Sequence, residues 1–216
     1  MYNLHPHQNI VLDKIKEKMQ LRHKRILVSA PTGFGKTILS YEIIKKAIEK
    51  NNKVLFTCHR ITLAEQSYKK FLPLSPQYLQ GENKDITDNY KCLVASIHTL
   101  LNTDIAEPKI VIIDEVHYAY ESSLIQSLFT KFPNAYFIGL SATPIDDRGF
   151  LLDGFNSIID DYQTQDLTDL GFLTPFECYS PMSIDLSDVK IKGDDYDNKE
   201  LETVINRINI NNSIVD

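Results

Sequence analysis

Tryptophan is absent from this 216-residue chain, and cysteine and arginine are scarce. The three cysteines, Cys58, Cys92 and Cys178, are far apart and lie outside any Cys-x-x-Cys or Cys/His spacing. That excludes a disulfide framework and a zinc ribbon, and the thiols read as reduced core residues. No apolar run approaches the roughly 18–20 residues that cross a bilayer. The first residues, Met-Tyr-Asn-Leu-His-Pro, are neither basic nor apolar and make no secretory signal. A cytoplasmic chain with no membrane partner is expected. No repeat or low-complexity tract is visible. The six histidines are dispersed apart from His5 and His7, which have no third ligand nearby. A loop role suits that pair better than a metal.

Charge is short overall but unevenly placed. The net charge of −6 argues against a protein held to nucleic acid by bulk charge. Residues 1–70 nevertheless hold 14 Lys or Arg against 5 Asp or Glu, whereas residues 146–216 hold 5 against 16. Such segregation fits one face that follows a phosphate backbone and another that meets solvent or a partner. It fits equally a set of solvated helix faces, the reading that suits Lys45, Lys46, Lys50, Lys69 and Lys70.

Two motifs carry chemistry. Ala30-Pro-Thr-Gly-Phe-Gly-Lys-Thr37 follows the apolar run 25–29, which reads as a buried strand, and precedes a helical pattern over 38–50. Strand, glycine loop and helix together form a phosphate-binding loop, whose N–H groups converge on one anion. Thr32, Gly33 and Gly35 would cradle the phosphates, Lys36 would reach the outer ones, and Thr37 would ligate Mg²⁺. Ala30 stands where the general pattern has its first glycine. An ordinary glycine turn before a surface helix is the bland alternative. Further on, the β-branched run 109–113 ends in Asp114-Glu115-Val116-His117. At the carboxyl end of a parallel strand, Asp114 can hold Mg²⁺ while Glu115 orients and deprotonates an attacking water. Capping of the next helix is the alternative use of these carboxylates.

With Ser141-Ala142-Thr143, these runs resemble the first RecA-like domain of a superfamily-two helicase. Asp114 to His117 resembles the DExH form of its second motif. The segment 139–144 is similar to that of the type III restriction and repair-helicase branch. The resemblance covers about residues 1–180 and implies ATP and Mg²⁺ as cofactors. Leu4 to Gln8 resembles the element whose glutamine reads adenine, here Gln8, although His5 and His7 replace the usual arginine and aromatic. By the same resemblance Arg60, Ser96 and Thr99 contact nucleic-acid phosphates. His117, Ser141 and Thr143 would couple the two sites. DNA is favoured as partner over RNA. Residues 181–216 read as an acidic linker and the start of a helix, leading to a second RecA-like domain that is absent here.

The coarse pattern alternates strands at 25–29, 53–57, 91–95, 109–113 and 135–140 with helices at about 6–20, 38–50, 62–72 and 121–132. A turn is expected at 81–85. After a loop at 146–150 come a short helix over 163–170 closed by Gly171, a strand over 174–179, and an extended connector over 185–199. Alternation of this kind means a doubly wound α/β fold with a mostly parallel sheet. A DExH RNA helicase and an ATP- and nucleic-acid-binding module without catalysis remain open. A small kinase or GTPase also stands, although Asn83-Lys84-Asp85 lacks the spacer of the guanine-reading motif.

An arginine from outside the phosphate loop contributes on the order of 10³–10⁵ in rate in related P-loop systems. Here only Arg148 lies near a motif, and nothing matches the arginine-bearing motif of a second domain. The chain as given should bind ATP with modest affinity, hydrolyse it very slowly and respond little to nucleic acid. Steady-state phosphate release with and without DNA checks this, and strong stimulation would contradict it.

Overall fold

A computed structural model describes residues 3–80, 87, 89–121, 124–145, 149, 151–175, 189–192, 195–196 and 199–202. Residues 1–174 form one compact unit and residues 175–216 a second.

The first unit is built on a seven-stranded sheet. Its strands are β1 (Arg25–Ser29), β2 (Val54–Cys58), β3 (Gln77–Leu79), β4 (Cys92–Ser96), β5 (Ile110–Asp114), β6 (Tyr136–Ser141) and β7 (Ser157–Ile159). They lie in the order β3-β4-β2-β5-β6-β1-β7, and every neighbouring pair is parallel. The expected mostly parallel sheet is thus parallel throughout.

The strands are apolar without alternation because both faces are covered. Ile26, Val28, Phe56, Ile112 and Ile138 pack on one face. There they meet α1 (Pro6–Gln20), α2 (Lys36–Glu49), α3 (Ile61–Phe71) and Leu167 of α7 (Thr164–Asp169). Leu27, Leu55, Val111, Ile113 and Phe137 turn to the other face. That side is covered by α4 (Ile97–Leu101), α5 (Val116–Glu121) and α6 (Leu124–Lys131).

Most expected elements lie within two residues of their place. α3 ends at Phe71, two residues before Pro73, and gives way to a 3₁₀ turn at Leu72–Leu74. The helix expected over 121–132 corresponds to α6, and α5 precedes it. The periodic pattern gave no sign of α5, because its first residues belong to the acidic motif. β3, β7 and α4 also escaped, being three to five residues long and therefore too short for a period to show. The turn at 81–85, the loop residues 146–148 and most of the strand at 174–179 lie outside the described residues. α7 ends before Gly171, whose φ of 76° is the left-handed geometry of a helix stop.

In the second unit, β8 (Ile191–Lys192) pairs antiparallel with β9 (Asp195–Tyr196). The Lys190 ammonium sits 2.8 Å from Glu200 in the helical residues 199–202. Both strands fall within the extended connector expected over 185–199. Backbone pairing organises its middle despite the acidic composition.

Gly139 in β6 shows how tightly the second face is packed. A Cβ there would lie 2.7 Å from the Phe155 ring and 3.2 Å from Val116. Gly139→Ala should destabilise the unit by roughly 1–3 kcal/mol through overpacking. Chemical denaturation checks it, and Phe155→Leu in the same chain should recover part of the loss.

Candidate nucleotide and nucleic-acid site

The parallel register places the carboxyl ends of β4, β2, β5, β6 and β1 side by side on one edge. Ser96, Arg60, Asp114 and Glu115, Ser141 and the phosphate loop therefore follow one another across five adjacent strands.

The loop is held before any ligand arrives. Its first residue, Ala30, is fully buried and donates its N–H to the Ser141 carbonyl at 2.8 Å, which ties the loop to β6. The methyl group is accommodated in the core at this position. Gly33 and Gly35 have φ of 85° and 89°, a region that side chains rarely adopt. A Cβ on Gly35 would collide with the Gln8 amide, and one on Gly33 with Leu173. Between them Phe34 is buried, and its carbonyl accepts the Gln8 Nε2–H at 2.8 Å. Gln8 Oε1 accepts the His5 backbone N–H at 2.9 Å. Both ends of that amide are engaged, and the side chain is 1 % exposed. In this state Gln8 braces the loop and presents no open edge to a base. His7 packs edge-on against Phe34 and Phe172, with ring centroids 5.0 and 4.4 Å away. Burial pushes its pKa down. His5 also meets the Phe172 ring, at 4.8 Å. Phe172 and Leu173 are loop supports that sequence reasoning missed, because they lie some 140 residues away with no motif around them.

Lys36 and Thr37 open α2, whose N-terminus points its unpaired N–H groups out of the loop. The Lys36 ammonium reaches the Ala30 carbonyl at 3.3 Å and Glu115 Oε1 at 3.2 Å. Glu115 has a φ of 48°, strained for a non-glycine residue. Its carboxylate is thus paired with Lys36, and Oε2 lies 3.6 Å from His117 Nδ1. Asp114 is held by the N–H of Glu115 at 3.2 Å. Burial raises its pKa to about 6; the Glu115 charge adds to this and Lys36 opposes it. Lys70 of α3 also acts electrostatically on Asp114, an influence invisible in a sequence that reads as a solvated helix face.

His117 Nδ1 is 2.8 Å from Ser141 Oγ. That hydroxyl donates its only proton to the Thr143 carbonyl at 2.7 Å and accepts the Thr143 N–H at 3.0 Å. Nδ1 must then carry a proton and donate to Ser141. Two linked groups result, Lys36–Glu115 and His117–Ser141–Thr143, which approach each other at 3.6 Å between Glu115 Oε2 and His117 Nδ1. Ser141 is wholly buried, so it acts inside the protein.

The three expected nucleic-acid contacts differ in their settings. Arg60 is exposed at the start of α3, its guanidinium 5.6 Å from the centre of the Tyr118 ring. Both residues line a cavity of about 380 Å³ that also reaches Thr32, Glu115, His117 and Thr143. Arg60 therefore opens onto the same space as Glu115. Tyr118 went unnoticed in the sequence, although it directly follows the motif. Ser96 is 3 % exposed, and its hydroxyl caps α4 by accepting the Thr99 N–H and bonding the Thr99 hydroxyl at 2.9 Å. Ser96 is thus engaged in capping, and Thr99 is half-buried.

This edge defines a P-loop nucleotide-binding domain of the RecA-like type. The chain belongs to the family described as "Type III restriction enzyme, res subunit", which it matches over residues 1–146. A 51.5 kDa protein of a Lactococcus phage (isolate 7-9) is 27% identical over 187 residues, covering 84% of this chain and 38% of that protein. The UvsW helicase from bacteriophage T4 superposes with a TM-score of 0.57 at 17% identity, over 74% of this chain and 61% of that one. A nuclease-deletion mutant of the Type ISP restriction-modification enzyme LlaGI, in complex with a DNA substrate mimic, gives 0.62 at 13% identity, over 79% of this chain and 21% of that one. The chain spans 25–38% of the length of the first curated relatives it matches. Among the described residues, no helix is long and apolar enough to cross a membrane.

Asp114 makes this edge a local source of instability. Its native pKa of about 6 lies above the ordinary carboxyl value near 4, so folding favours the protonated form. The cost of keeping it ionised grows as pH rises from about 4 to 6 and is complete above that. Without Mg²⁺, Asp114→Asn should stabilise the protein at pH 8 by on the order of 2–3 kcal/mol, and by nothing below pH 4. Denaturation curves at the two pH values check it.

Proposed function

We propose that this chain is the ATP-binding part of a nucleic-acid helicase or translocase acting on DNA. One observation carries the reading: the phosphate-loop lysine is ion-paired with Glu115 of the acidic motif while His117 of the same motif is hydrogen-bonded to Ser141, beside a cavity that Arg60 also lines. Residues 1–180 would form the first RecA-like domain. Residues 181–216 would lead to a second, which completes the ATP cleft and supplies an arginine. Family membership supports ATP as substrate. The DNA substrate mimic bound by LlaGI supports a DNA track.

Thr37 and Asp114 supply hard oxygen ligands on the two sides of the phosphate site and suit Mg²⁺. When bound there, Mg²⁺ would neutralise phosphate charge and hold Asp114 ionised. Lys36 now spends its charge on Glu115. An incoming γ-phosphate would draw the ammonium away and leave Glu115 to orient water and take its proton. His117, hydrogen-bonded to Ser141 and close to Glu115 Oε2, would report that change to β6. Arg60 and Thr99 would hold phosphates, sequence-blind and salt-sensitive.

Lys36→Ala should weaken ATP·Mg²⁺ binding strongly while the fold persists. Glu115→Gln should keep nucleotide affinity and remove hydrolysis in the complete enzyme. Calorimetric binding and single-turnover hydrolysis separate the two. Equal loss of affinity in both variants would refute this division of roles.

A further inference from the structure

The chain's positive charge does not collect at the motif edge. Parallel strands also align their amino ends, and four of the five motif-bearing strands are preceded by lysine: Lys91 before β4, Lys53 before β2, Lys109 before β5 and Lys24 before β1. Backbone bonds knit these positions into one row. Val54 N–H donates to the Lys91 carbonyl at 2.9 Å and Lys109 N–H to the Lys53 carbonyl at 2.8 Å. Tyr136 N–H donates to Lys109 at 2.9 Å, and Phe137 N–H to Lys24 at 2.7 Å. With strands about 4.8 Å apart, the row extends roughly 19 Å across the sheet.

Lys24, Lys91 and Lys109 are exposed, and no carboxylate among the described residues pairs with them. Lys53 and Lys109 lie over the rings of Tyr90 and Tyr136, at 5.5 and 5.4 Å. Glu107, the nearest acid in sequence, accepts the backbone and side-chain N–H groups of Asn134 and is not paired with a lysine of the row among the described residues. At its middle, through Lys109, the row joins a cavity of about 470 Å³ between α1 and α2, rimmed also by Lys50, Glu49 and by Lys16 and Lys46, which are paired with Asp13 and Glu42.

We infer that this amino edge is a second nucleic-acid track that holds phosphates without reading sequence, distinct from the Arg60 edge. The inference rests on the reading that the protein acts on nucleic acid. Lysine suits such a track, because a point charge on a flexible stem follows regularly spaced anions without demanding the fixed fork geometry of arginine. Five-residue strands separate the two edges by about 17 Å, so the row extends the bound length of a strand that wraps the domain or takes a second segment.

The test is fluorescence anisotropy of labelled DNA, single-stranded and duplex, titrated with the full chain over a range of salt. The quadruple variant Lys24→Gln, Lys53→Gln, Lys91→Gln, Lys109→Gln should bind at least tenfold more weakly at low salt. Its slope of log affinity against log salt should be shallower by about 3. The matching four Lys→Arg changes should retain wild-type binding. If the quadruple variant melts early, Lys91→Gln and Lys109→Gln singly should each flatten the slope by about 0.7–0.9. Unchanged binding by the glutamine variants, with binding lost in Arg60→Ala, would overturn the second track and leave the functional reading standing. No binding by the wild-type chain would remove the reading itself. Displacement of DNA by polyglutamate at equal charge concentration would assign the edge to an acidic protein and overturn the proposal.

Discussion

Seven strands running the same way impose the constraint from which everything else follows. Parallel pairing sends every chain reversal over a face of the sheet, which must then be covered by helices on both sides. It also brings all strand ends of one kind to a single edge. Motifs up to about 110 residues apart in the chain, from the phosphate loop to Ser141, thereby meet within a few strand spacings. No separate device is needed to assemble the site. The register β1–β6–β5 already sets the loop, Ser141 and the acidic pair next to each other.

Within that frame, the site is rigid on one side and strained on the other. Gln8, Phe34, Ala30 and Leu173 lock the phosphate loop in the shape an anion needs, so little ordering remains to be done on binding. Glu115 sits in a left-handed backbone conformation, and Asp114 keeps a carboxyl where burial disfavours its charge. Both are unfavourable for a bare domain and suit one that meets a charged ligand. The Lys36–Glu115 pair is what these groups do with their charges until then.

Electrostatics divides the molecule between two edges. At the carboxyl edge a few cations stand among acids and imidazoles, where position matters more than total charge. At the amino edge lysines follow one another from strand to strand, where number matters more than position. The basic character of residues 1–70 therefore has two destinations. A net charge of −6 conceals both, because the acidic residues from 146 onward outweigh them.

The sequence by itself determined the α/β class, most of the strands and the identity of the phosphate loop and acidic pair. Apolar runs of β-branched residues can only be buried strands, and glycine, lysine and carboxylate at those spacings have few other uses. Gly33 and Gly35 take the positive φ that the loop pattern demands. Short elements such as β7 and α4 stayed hidden because three to five residues carry no period. Only the tertiary structure decided which groups touch. It turned Gln8 inward as a brace, set Ser96 as a helix cap, and brought Phe172 and Leu173 onto a loop some 140 residues away. It also aligned four separate lysines into one row. Those outcomes depend on register and packing between distant segments, and a linear pattern holds no measure of distance across a sheet.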